Sequence, residues 1–147
     1  MQPVAGQVAL PKRKPLLAQR QDLSLHFIYS AAIKLLSEQG MSAAIGEFKE
    51  LMDRGNGGSG FSFVDLAADL AGVEFAKSAT NELKARQFQY TLAGNTLEST
   101  FFPDISALPE GLSKSAFNQQ FKQVDSPEYK AMLTNIRQRI ASLPIHN

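Results

Sequence analysis

From Leu23 onward the apolar residues of this chain return at every third or fourth position, in runs that open on cap residues and close on glycine or proline. That spacing puts them on one face of an α-helix, whereas a half-buried strand would need alternation, and no convincing alternation occurs. The constraint is strong, because stripes of this kind can be buried only helix against helix. The opening is different. Residues 1–20 carry three of the seven prolines and no sustained periodicity, which predicts an extended arm.

Asp22 stands where an N-cap belongs for the first helix. On that helix Leu25, Ile28, Ala32, Leu35 and Leu36 share a face, widened by Tyr29 and Ile33 to an apolar arc of roughly 200°. Gly40 supplies a left-handed stop. Ser42 can cap a second helix bearing Ala44, Ile45, Phe48, Leu51 and Met52, which ends at Arg54 before a loop of Gly55-Asn56-Gly57-Gly58-Ser59-Gly60. Ser62-x-x-Asp65 resembles a capping box and opens a third helix, predicted to run as far as Leu92 with its polar second half partly exposed. Gly94-Asn95 closes it. A long connection from Phe101 to Gly111 follows, packed by its own aromatic residues. Two further helices are predicted at Ser113–Gln123 and Ser126–Leu143, with Pro127 in the first turn of the last and Pro144 beyond its end. The expected fold is therefore all-α: a single-domain bundle of about five helices, with 22–93 as a three-helix core, 94–112 as a loop and 113–143 as a C-terminal pair.

Composition narrows the function classes. A net charge of +1 gives no field to hold nucleic acid or a membrane surface. With no cysteine, disulfides, thiol nucleophiles and thiolate-bound zinc are excluded. No run approaches the ~20 apolar residues of a transmembrane helix. Nothing reads as a signal peptide, although Gln2-Pro3-Val4-Ala5-Gly6-Gln7 looks like the start of an exported chain with a start Met added. Periplasmic or exported placement is thus one expectation and the cytoplasm the alternative.

Ionisable residues gather between Asp22 and Asp69. His26 lies at the edge of the first helix's apolar arc. Glu47 and Lys49 border the apolar face of the second, with Glu50 and Asp53 between them on its polar side. Asp65 and Asp69 lie one turn apart on the third, a like-charge spacing that costs about 0.2–0.5 kcal/mol unless something positive sits across from it. Gly72 and Ala76 continue the same stripe, and a glycine inside a helix, at a cost of about 1 kcal/mol, suits close approach by a neighbouring helix or a ligand. Two readings compete. In one, His26, Glu50, Asp65 and Asp69, joined by Glu47, form an acid/base set or an oxygen-rich site for a divalent cation. In the other, Lys49 and His26 neutralise the aspartates and tie helices together. No metal-binding motif is present, and with only His26 and His146 any metal would be held mainly by oxygen. The glycine loop has P-loop spacing, but Phe61 stands where the lysine must be. The basic residues of the last helix, Lys130, Arg137 and Arg139, fit a solvated bundle face better than a membrane surface.

The order Asp22-x-x-x-His26-Phe27, Lys49-Glu50-Leu51-x-Asp53, a glycine loop, and Ser62-x-x-Asp65-Leu66-x-x-Asp69-x-x-Gly72 resembles the YfiM-like bacterial lipoproteins and, more distantly, the VanZ-like proteins. The resemblance covers about residues 22–75. It implies a bacterial, envelope-associated helical protein with polar positions at His26, Lys49, Glu50, Asp53, Asp65 and Asp69, and it implies no particular reaction. Lys34, Glu38 and Glu47 interrupt the hydrophobic runs of that group. The functional expectations are a ligand, cation or hydrolase site in the polar cluster or, alternatively, a non-catalytic interaction module. In the module the cluster is an internal lock, and the 94–112 loop or the last helix meets a protein partner or a second copy.

Overall fold

A computed structural model describes residues 12–36, 60–95 and 97–147. Their helices are α1 (Gln21–Leu36), α2 (Phe63–Thr80), α3 (Ala85–Gly94), α4 (Lys114–Phe121) and α5 (Pro127–Ala141), with 3-10 turns at Glu98–Thr100 and Pro144–His146. The all-α expectation holds. The second predicted helix, around Ser42–Arg54, lies outside the described residues, as do Glu47, Lys49, Glu50 and Asp53.

The caps follow the sequence closely. Ser62 accepts the Asp65 amide at 3.0 Å, Ser113 that of Ala116 at 3.1 Å and Ser126 that of Tyr129 at 3.1 Å. Pro127 occupies the first turn of α5. The third predicted helix is in fact two. Asn81 takes an extended conformation, and its side-chain oxygen accepts the amides of Leu83 at 2.9 Å and Lys84 at 3.2 Å. A side chain that satisfies two backbone donors ends one helix and starts the next.

α2 is the central element, buried along most of its length, and α1 is its principal partner. Around its start Phe61, Phe63, Phe117, Phe121 and Tyr129 pack ring against ring, with Phe61–Phe63 centroids 4.8 Å apart and Phe63–Phe121 4.7 Å. A second aromatic group joins Phe27 to Phe75 at 5.3 Å and to Phe101 and Phe102 at 6.1 and 6.2 Å. The connection after α3 is thus packed by its own aromatics, as expected. It is also pinned by backbone pairing, with Phe61 and Leu112 exchanging hydrogen bonds at 2.8 and 2.9 Å. Gly60, at φ +81°, permits this, because a Cβ there would lie 2.7 Å from the Leu112 carbonyl oxygen.

The face by which α1 docks is not the expected one. Leu23, Ser24, Phe27 and Ser30 are buried, while Leu25, Ile28, Tyr29, Leu35 and Leu36 are exposed, Leu36 to 87%. Satisfied polar groups explain the difference. The Ser24 hydroxyl bonds to the Pro15 and Gln21 carbonyls at 2.8 and 2.6 Å, and that of Ser30 to Asp69, so small serines can face α2 without an unpaired hydroxyl. Gly72 completes the fit. Phe27's carbonyl oxygen would lie 2.1 Å from a Cβ at that position, so the two backbones are in contact there.

Candidate functional site

The first three turns of α1 and of α2 bring His26, Ser30, Asp65 and Asp69 together. Asp69 is buried and central. The Ser30 hydroxyl donates to its Oδ1 at 2.5 Å, and His26 Nδ1 lies 3.3 and 3.2 Å from Oδ1 and Oδ2. A carboxylate can only accept, so Nδ1 carries a proton. The other ring nitrogen, Nε2, faces Asp65 Oδ2 at 3.8 Å. The group that faces the aspartate pair is therefore His26, a cation when both ring nitrogens are protonated.

Arg20, at the end of the arm, is a second cation that sequence reasoning did not place here. Its guanidinium reaches Asp22 at 2.5 Å and Glu110 at 2.6 Å, and approaches Asp65 at 3.9 Å. A basic residue two positions before a helical aspartate was the one local signal. Glu110 arrives from a loop 45 residues beyond Asp65, a distance no periodicity encodes.

The electrostatics follow from these partners. The hydrogen bond to Asp69 raises the His26 pKa, helped by the charges of Asp69, Asp65 and Asp22 and opposed by partial burial. Burial pushes the Asp65 carboxyl up despite His26, and Asp22 is held low by its bond from Arg20. Asp65 Oδ1 is shielded and makes no hydrogen bond among the described residues.

What this arrangement can do is limited by its connectivity. A nucleophilic triad needs the histidine to touch the hydroxyl it activates, with the carboxylate behind it. Here Ser30 and His26 both bond to Asp69, so the imidazole is not the serine's base, and Ser30 is only 4% exposed. The acids Asp22, Asp65 and Glu110 bring one oxygen each within 4.8 Å of one another, a spacing that could hold a cation, but Arg20 reaches all three.

A folded pKa above the unfolded value of about 6.5 gives His26 a stabilising contribution that is complete below that pH and is lost as pH rises through the folded value. His146 has the opposite sign, since burial lowers its pKa. The two are separated by comparing the native chain with His26→Gln. The difference in melting temperature is expected to be largest near pH 5.5 and to shrink by pH 8.5, as followed by circular dichroism. A difference constant across that range would mean that protonated His26 does not hold the helices together.

Outside this cluster, His146 Nδ1 lies 2.8 Å from the Ser78 hydroxyl, at a cleft of about 450 Å³ between α2, α5 and the last 3-10 turn. The two residues are 68 positions apart, and no motif linked them. No helix among the described residues is long and apolar enough to cross a membrane. Compared with protein-family models, with curated proteins and with solved structures, the chain matches none.

Proposed function

We propose that this protein is a non-catalytic interaction module in which the His26–Asp69 cluster locks α1 onto α2 and leaves the outer face of α1 for a protein partner. The observation that carries this reading is the saturation of Asp69. It is 5% exposed, and both its oxygens are taken by Ser30 and His26. A proton-transfer site keeps its working group within reach of a substrate, whereas a lock has its groups buried and already paired. The outward residues of α1 support the second half of the reading, because Leu25, Ile28, Tyr29, Leu35 and Leu36 form an uncovered apolar stripe among the described residues. Most apolar residues of the last helix and of the connection before α4 turn inward, with Phe102, Leu108, Tyr129, Ile136 and Ile140 buried, while Leu97 is exposed. Placement in a bacterial envelope belongs to the same proposal and rests on the YfiM-like pattern of His26, Asp65, Asp69 and Gly72.

The approach of Asp22, Asp65 and Glu110 favours a second reading, a cation site. Thermal melts separate the two. With EDTA, and then with Ca²⁺, Mg²⁺, Mn²⁺ or Zn²⁺, the lock reading expects no change. An ion that binds the folded state at about 100 times its dissociation constant would add about 2.7 kcal/mol. A saturable rise lost in Asp65→Asn would establish the cation site instead. In the same melts Ile28→Glu with Leu35→Glu should stay within about 0.5 kcal/mol of the native chain, as exposed positions do. A large fall would mean that the chain itself covers this face.

A further inference from the structure

The cleft beside His146 is separate from the lock and is equipped differently. Leu70, Ile140 and Ala141 give it an apolar floor. Lys84 and Arg137 stand on its rim, and neither makes an ion pair or a side-chain hydrogen bond among the described residues. Its one acidic side chain among the described residues, Glu74, is already bonded to Lys77 at 2.6 Å. The wall is formed by the Ser78–His146 pair, in which Nε2 of His146 is shielded and makes no hydrogen bond among the described residues. With the Ser78 hydroxyl donating to Nδ1, the proton of the neutral ring sits on Nε2, on the side shielded from solvent. Burial keeps the ring neutral by lowering its pKa.

An apolar floor and two cations without an ion-pair partner among the described residues converge on one ligand chemistry. The volume of about 450 Å³ lies within the range of small-molecule sites. We infer that this cleft binds a small organic anion, an oxyanion head on a compact apolar body, with Lys84 and Arg137 holding the head, Leu70 and Ile140 the body, and the Ser78–His146 pair the polar contact between them. A carboxylate and a phosphate ester present the same oxyanion chemistry to a guanidinium and an ammonium.

The test is a backbone-amide NMR titration of the full chain with benzoate and with phenyl phosphate, alongside benzyl alcohol as a body without the charge and inorganic phosphate as a head without the body. At least one of the two aromatic anions is expected to produce saturable shifts centred on Ser78, Lys84, Ile140 and His146. The tighter of the two identifies the head group. Benzyl alcohol and inorganic phosphate should bind at least about tenfold more weakly. Lys84→Gln and Arg137→Gln alter exposed side chains, so both variants should melt like the native chain while each weakens the anion by about tenfold. Either of two results overturns the inference: no saturable shift at this cleft up to about 10 mM of either anion, or binding unchanged in the Lys84→Gln, Arg137→Gln double variant. Shifts centred instead on Arg20 would equally contradict it. None of these outcomes depends on the state of the lock around Asp69.

Discussion

Replacing Gly72 by alanine lowers the melting temperature by roughly 5–8 °C, even though alanine is the better helix former. The added methyl would sit 2.1 Å from the carbonyl oxygen of Phe27 and 2.9 Å from its carbonyl carbon. Those are backbone atoms of a packed helix, so no side-chain rotation relieves the clash and α1 must move away from α2. Overpacking of a rigid site costs about 1–3 kcal/mol, and here the upper end applies. The helix-propensity gain of about 1 kcal/mol leaves a net loss of about 2 kcal/mol. Moving α1 also pulls Phe27 from its contacts with Phe75, Phe101 and Phe102 and stretches the bonds to Asp69. Denaturation of Gly72→Ala followed by circular dichroism checks this. A variant as stable as the native chain would mean that the helices do not meet at this position.

Asp69→Ala is expected to cost still more, about 2–4 kcal/mol. Removing one member of a buried ion pair typically costs about 3–5 kcal/mol, because its partner is left uncompensated. His26 is about a third exposed and can recover part of that from water, while the Ser30 hydroxyl is buried and cannot. Asp65 gives the contrast. Burial raises its pKa, so its charge is held at a cost, and Asp65→Asn should be neutral or slightly stabilising. A reaction centre would show the reverse pattern, with both carboxylates dispensable for folding and needed for turnover. Urea unfolding of the two variants side by side reads the difference.

Much of this was legible in the residues themselves. The capping serines at 62, 113 and 126 located three helix starts within a residue or two, because a cap is a local interaction between a side chain and the amide three positions on. The aspartate pair with Gly72 one face-repeat below implied a basic group opposite and a helix or ligand close beside it, and His26 and the Phe27 backbone stand in those places. The docking face of α1 was misread for a physical reason. Apolar periodicity assumes that the greasier side is buried, and here two serines are buried and a histidine half-buried because α2 and the arm supply acceptors for them. The break at Asn81 was hidden by a continuous helical composition, since a single side chain bonded to its own loop decides it. Arg20, Glu110 and the Ser78–His146 pair depend on which loops fold back, and such long-range contacts leave no spacing to read.

In the lock, His26 and Asp69 act on each other to hold α1 against α2. A double-mutant cycle measures that directly, from the unfolding free energies of the native chain, His26→Gln, Asp69→Asn and the double variant at pH 6. The lock predicts a coupling of about 1–3 kcal/mol that falls as the pH is raised to 8.5 and His26 loses its proton. Additive losses at both pH values would contradict it, and would mean that two neighbouring polar groups share a helix interface without holding it together.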